Sequence, residues 1–142
     1  MILVIGEHRG GRLHRASWEA LAAAQEFAGA LPVEALLAGN GLSAAAAELG
    51  QGAVATVHAV EHAALATYTP DGYVQALQQA LSVLKPDHVF LPHTYQTRDF
   101  APKLAARLER ALVTDCVGVK RSDAGASFFN AISTACVKTC AT

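Results

Sequence analysis

Apolar positions along this chain alternate between short continuous runs and runs spaced by three and four, which predict strands and helices in turn. Ile2-Leu3-Val4-Ile5 is unbroken and closed by Gly6, as in a strand buried on both faces of a parallel sheet. A loop rich in glycine and positive charge follows, G-E-H-R-G-G-R-L. A helix is then expected from Trp18 to about Ala28, with Ser17 as its cap and Gly29 and Pro32 as its stop. Val33 to Leu37 reads as a second strand, turned at Gly39-Asn40-Gly41. Ser43 to Leu49 makes a short Ala-rich helix closed by Gly50 and Gly52, and Val54 to Val60 a third strand.

The stretch from Glu61 to Thr69 lacks a period and is expected to be irregular. Thr69-Pro70-Asp71 opens the next helix, since Pro70 suits its first position and Asp71 the positive end of its dipole. Val74, Leu77, Leu81 and Leu84 give that helix an unbroken apolar stripe before Lys85-Pro86-Asp87 ends it. His88 to Leu91 is the fourth strand, Arg98 to Leu108 the core of the fourth helix, and Leu112 to Val119 a fifth strand. Beyond Lys120, Ser122-Asp123-Ala124-Gly125 suits a turn, Ser127 to Val137 one or two edge strands, and the last four residues a fraying end. Strands alternating with helices over short links predict an α/β fold: three layers, α/β/α, around a mostly parallel, doubly wound sheet.

Length and composition narrow the picture. At 142 residues the chain fits one domain spanning 1–142, and 52% hydrophobic against 16% charged residues argues against disorder. A net charge of -1 without a basic stripe leaves nucleic acid without its usual electrostatic footprint. No apolar run reaches the roughly 18 to 20 residues that span a bilayer, and no basic leader precedes Ile2, so a cytoplasmic protein is expected. Cys116, Cys136 and Cys140 suggest neither a disulfide framework nor a zinc site, although Cys136 and Cys140 are four apart. His58 and His62, also four apart, read as packed or surface histidines and not as metal ligands.

The groups suited to chemistry gather after the first and fourth strands, whose following loops share a crevice in doubly wound folds. Around the fourth strand stand His88, His93, Thr94, Tyr95, Thr97, Arg98 and Asp99; after the first stand Glu7, His8 and Arg9. His93 with Asp99 offers acid–base chemistry, but an Asp early in a helix is expected from the dipole alone. The glycines do not form G-x-G-x-x-G and no P-loop lysine follows. Gly10, Gly11, Arg12, Thr94 and Arg98 are the candidates for holding an anion or nucleotide. Arg9, Arg12, Arg98 and Tyr95 equally suit a protein interface. No nucleophile with a matched base emerges, and no catalytic residue is assigned.

Two stretches resemble the electron transfer flavoprotein alpha subunit. The opening I-L-V-I-G-E-H-R-G-G-R-L-H-R-A-S-W-E-A-L-A-A-A carries its Glu7-His8 pair, Gly10-Gly11 turn, Leu13, and a helix with Ser17, Glu19, Leu21 and Ala23. The stretch H-T-Y-Q-T-R-D-F-A-P-K-L-A-A-R-L supplies His93, Thr94, Arg98, Asp99, Pro102, Lys103, Ala105, Ala106 and Leu108 of its signature, followed by Thr114-Asp115. Thr97 stands where the family usually has glycine, which removes the expectation of a close backbone approach there. The resemblance covers roughly residues 1 to 120. It implies the amino-terminal domain, a three-layer unit related to adenine-nucleotide-hydrolase-like folds.

In that family FAD sits mainly in a carboxyl-terminal domain, a beta subunit carries AMP, and the heterodimer passes electrons from dehydrogenases. The resemblance covers the amino-terminal domain alone, and no flavin domain is expected within these 142 residues. The resemblance therefore implies an alpha-type domain that binds no cofactor itself, is not redox-active alone, and packs against a beta-type subunit or a copy of itself. The alternative is a small adenine-nucleotide-binding module of the universal-stress-like class, using the Gly6 to Arg12 loop and the start of the Arg98 helix. A hydrolase using His93 and Asp99 ranks last.

Overall fold

The computed structural model describes residues 1–122 and 125–138. Its elements are β1 (Ile2–Ile5), β2 (His8–Arg9), β3 (Arg12–Leu13), α1 (Ala16–Ala28), β4 (Val33–Gly39), α2 (Ser43–Leu49), β5 (Val57–Glu61), α3 (Pro70–Leu84), β6 (His88–Pro92), α4 (Tyr95–Arg107), β7 (Ala111–Ser122) and β8 (Gly125–Lys138). The main sheet has six strands in the order β5-β4-β1-β6-β8-β7. β5, β4, β1 and β6 are mutually parallel, whereas β8 runs antiparallel to both β6 and β7.

The three layers follow from the period of two along each buried strand. Ile2 and Val4 face α1 and α2, where Ala20, Leu21, Ala24 and Phe27 recur at helical spacing. Leu3 and Ile5 face α3 and α4, packing against Val74, Leu77, Phe100 and Leu104. Because all four residues of β1 are buried, a continuous apolar run is the pattern that fits. The expected three-layer α/β/α architecture is the one observed.

Several local expectations need correction. Ser17 does not cap α1: it lies inside the helix, and the side chain that serves the first turn is His14, whose Nδ1 accepts from the Ala16 N–H at 3.1 Å. The loop after β1 contains a short antiparallel hairpin, β2–β3. The third strand starts at Val57 instead of Val54, and its irregular sequel holds a 3-10 turn, Ala63–Leu65, capped by His62. The edge pairing after Lys120 is larger than expected, because β8 inserts between β6 and β7 and leaves β7 outermost. Of the expected turn at Ser122 to Gly125, residues 123 and 124 lie outside the described residues, as do the expected fraying end and Cys140.

Two caps match their sequence logic. Thr69 in extended conformation accepts from the Gly72 N–H at 3.3 Å with Pro70 following it, and Thr94 accepts from the Thr97 N–H at 3.2 Å to start α4. Thr97 is an ordinary buried helical residue whose hydroxyl lies 3.2 Å from that of Thr94, so no glycine is needed at this position. Replacing Thr94 by Ala should cost about 1 kcal/mol in urea unfolding, while Thr94→Ser retains most of the stability. Equal losses in the two variants would show that the cap is not what Thr94 contributes.

Candidate functional site

The carboxyl ends of β1, β4 and β6 form the region where a doubly wound sheet would receive a ligand. Gly10 and Gly11 form the two-residue turn of the β2–β3 hairpin with φ of 57° and 76°. Both positive angles are what a type I′ hairpin turn requires, so the glycines have a structural reason to be there. Arg9 and Arg12 lie opposite each other across the hairpin, and Arg9 turns to the Glu7 carboxylate at 3.6 Å. Ser17 fastens the base of this loop: its hydroxyl accepts from the Glu7 N–H at 2.8 Å and donates to the Glu7 carbonyl at 3.1 Å.

From this loop His8 reaches β4, where its Nε2 lies 3.0 Å from the Ala38 carbonyl. A carbonyl can only accept, so Nε2 carries the proton. On the opposite side the Tyr73 hydroxyl donates to the same oxygen at 2.9 Å. The next residue, Gly39, leaves no room for a side chain, because a Cβ there would stand 2.2 Å from His8 Nε2.

Glu7 is the unusual member of the region. Its side chain is 3% exposed, and among the described residues neither carboxylate oxygen receives a hydrogen bond. Tyr68 and Tyr73 stand close enough to feel its charge. Their rings meet edge to face at 4.9 Å, and Tyr73 continues onto Phe100 at 5.9 Å. The Tyr68 hydroxyl donates to Asp99 at 2.8 Å.

Burial is the main force pushing both phenols above their ordinary value. The Asp99 hydrogen bond and charge add to it at Tyr68, and the Glu7 carboxylate adds to it at Tyr73, where Gln96 pulls the other way. A group whose folded pKa is raised contributes stability fully present below its unfolded pKa, about 10 for tyrosine. That contribution is lost as pH rises through the folded value.

Around the start of α4 the expected groups take different partners. Thr94 is the cap described above. Arg98 lies over the Tyr95 ring, 5.9 Å from its centroid. Asp99 falls beyond the first turn of α4 and is held by Tyr68, so the dipole argument for it does not apply. His93 pairs instead with Asp115, Nε2 to Oδ1 at 3.0 Å, across a cleft of about 200 Å³ between α4 and β7. Asp115 adopts φ 56° at an irregularity in the β7–β8 pairing, which is why a residue read as the interior of a strand can turn towards His93. Next to it Cys116 is buried, and burial together with the Asp115 charge pushes its thiol pKa up. That places it among inert thiols.

The five anion candidates thus fall into two groups, Gly10, Gly11 and Arg12 on the hairpin and Thr94 and Arg98 on α4. No hydrogen bond or ion pair joins the groups among the described residues. His58 and His62 have separate duties: His58 pairs with Glu34 across β4 and β5 at 2.6 Å, and His62 caps the 3-10 turn. No set of three or more potential metal ligands occurs among the described residues, and no helix among them is long and apolar enough to cross a membrane.

At the crevice, Glu7 is a buried carboxylate, and the hydroxyls of Tyr68 and Tyr73 already have protein partners in Asp99 and the Ala38 carbonyl.

Two measurements probe this arrangement. In a spectrophotometric titration, Tyr68 and Tyr73 should ionise above the ordinary tyrosine range, and Asp99→Asn should lower the Tyr68 transition without restoring it fully, since burial remains. An unchanged transition in that variant would remove Asp99 from the account. Gly39→Ala should cost about 1–3 kcal/mol, because its Cβ displaces His8 from Ala38; wild-type stability in chemical denaturation would show that His8 moves aside freely.

Comparison with known proteins bears on the same elements. The electron transfer flavoprotein domain family matches residues 2–139. An electron transfer flavoprotein subunit alpha of Bacillus subtilis is 36% identical over 118 residues, covering 83% of this chain and 36% of the relative. The corresponding subunit of Syntrophomonas wolfei is 32% identical over 126 residues, covering 89% and 39%. The LctC subunit of a lactate dehydrogenase (NAD(+),ferredoxin) of Acetobacterium woodii is 30% identical over 117 residues, covering 81% and 28%. The chain thus spans little more than a third of the length of the alpha subunits it matches. With its three-layer sheet and a match running from β1 to the end of β8, the chain belongs to the electron transfer flavoprotein domain family and is alpha-subunit-like.

Proposed function

We propose that this domain serves electron transfer as the amino-terminal scaffold of an alpha-type subunit, docking a beta-type partner and carrying no redox group itself. The observation that carries this reading is the state of the crevice. Where a doubly wound sheet would hold a nucleotide, this chain spends Tyr73, His8 and Ser17 on internal hydrogen bonds and leaves a carboxylate buried. A site with those commitments favours rigidity over ligand capture. FAD in a complete assembly then belongs to a different domain, and this domain contributes shape and surface.

The Gly10, Gly11, Arg12, Thr94 and Arg98 set remains the place where the alternative, an adenine-nucleotide module, would have to bind. The turn geometry of the two glycines and the capping role of Thr94 already account for three of these residues without a ligand.

Calorimetric titration with AMP, ATP and FAD should give no heat, and gel filtration with a beta-type electron transfer flavoprotein subunit should give an earlier-eluting complex. Micromolar binding of a nucleotide would favour the alternative. A strictly monomeric domain, indifferent to the beta subunit, would sink the scaffold reading.

A further inference from the structure

Resting on that reading, we infer that the docking surface is the outward face of the start of α4, where Arg98 lines the His93–Asp115 cleft and lies over the Tyr95 ring. Its occupant is a carboxylate-bearing segment of the beta-type partner, with the acid on Arg98 and an adjoining aliphatic side chain in the cleft.

Tyr95 is 85% exposed, and together with Val83 it is a large hydrophobic residue left in solvent among the described residues. Arg98 lies over its ring within the range of a cation–π contact, which at an exposed site favours this arrangement by about 0.5–1 kcal/mol. Tyr and Arg are the residue types most often found as energetic anchors of protein interfaces.

Charge sets the occupant. Two carboxylates lie near Arg98, and both are committed elsewhere: Asp99 accepts from Tyr68, and Asp115 pairs with His93. Arg98 has no carboxylate partner among the described residues; Arg12 and Arg107 share that state, but Arg98 is the one that also lies over an exposed aromatic ring and lines a cleft. A guanidinium beside an aromatic ring, without an acid among the described residues, is complementary to an Asp or Glu presented from outside, which it can engage with two parallel hydrogen bonds.

The cleft beside it supplies the apolar half of the contact. Ala101, Pro102 and Leu112 line it together with His93, Thr97 and Asp115, and its volume of about 200 Å³ suits one aliphatic side chain better than a cofactor. The wall contributed by His93 and Asp115 is fixed by their mutual contact and by the turned backbone at Asp115.

The test measures equilibrium binding of the domain to the beta subunit that pairs with the Bacillus subtilis relative, at low and high salt. The set comprises wild type, Tyr95→Ala, Arg98→Ala, Arg98→Glu and the distant control Val83→Glu, each checked for folding by circular dichroism. Tyr95→Ala and Arg98→Ala should bind at least about tenfold more weakly, and Arg98→Glu more weakly still. Val83→Glu should match wild type. Wild-type affinity should fall with salt, and the Arg98 variants should lose most of that dependence. If wild type binds and the α4 variants bind equally well, or if only Val83→Glu weakens binding, this surface is overturned while the scaffold reading stands. If wild type does not bind at all, both fall.

Discussion

The carbonyl oxygen of Ala38 accepts hydrogen bonds from both His8 and Tyr73, and the placement of the loop after β1 against β4 and α3 depends on it. His8 reaches it from the loop after β1 and Tyr73 from the first turn of α3, so a single acceptor ties three segments that are far apart in sequence. Each bond is worth only about 0.5–1.5 kcal/mol net. The larger constraint is the cost of undoing the arrangement, because a buried polar group left without its partner costs about 1–3 kcal/mol. Gly39 is the residue that allows this approach, since any side chain there would occupy the place of the imidazole.

Those internal commitments change what the fold can do at its customary binding position. Doubly wound sheets offer ligands the gap where neighbouring strands send their connections to opposite faces. In this chain the loop after β1 is pinned to α1 by Ser17, and Tyr68 and Tyr73 meet edge to face, one bonded to α4 and the other to β4. On the outer surface, by contrast, Tyr95 is exposed and Arg98 lies over its ring.

Much of the architecture was legible because it is written locally. The unbroken run at Ile2 to Ile5, the three-and-four spacing from Val74 to Leu84 and the Thr69-Pro70-Asp71 start each carry their meaning within a few residues. Ser17 was misread for the same reason. A hydroxyl near a helix start satisfies the capping rule by its position, and nothing within a few residues reveals that its partner is Glu7. The His93–Asp115 contact was hidden more deeply, because it needs an irregular strand pairing and a positive φ at a residue other than glycine. The insertion of β8 beside β6 is likewise a choice between non-local partners, for which an apolar stretch such as Ser127 to Val137 has no address. The resemblance did not reveal that Asp99 and Asp115 serve internal partners while Arg98 has no carboxylate partner among the described residues.

The strand order also limits what can pair during synthesis. β1 cannot pair with β4 before Val33 to Gly39 has been made, and its other edge belongs to β6, which cannot cover it before His88 to Pro92 emerges. Through that interval Ile2, Leu3 and Val4 present an apolar strand edge, the kind of surface that recruits other nascent chains. β6 inherits the same exposure until β8 arrives, and the antiparallel hairpin that finally covers it is the last described part of the chain to be translated.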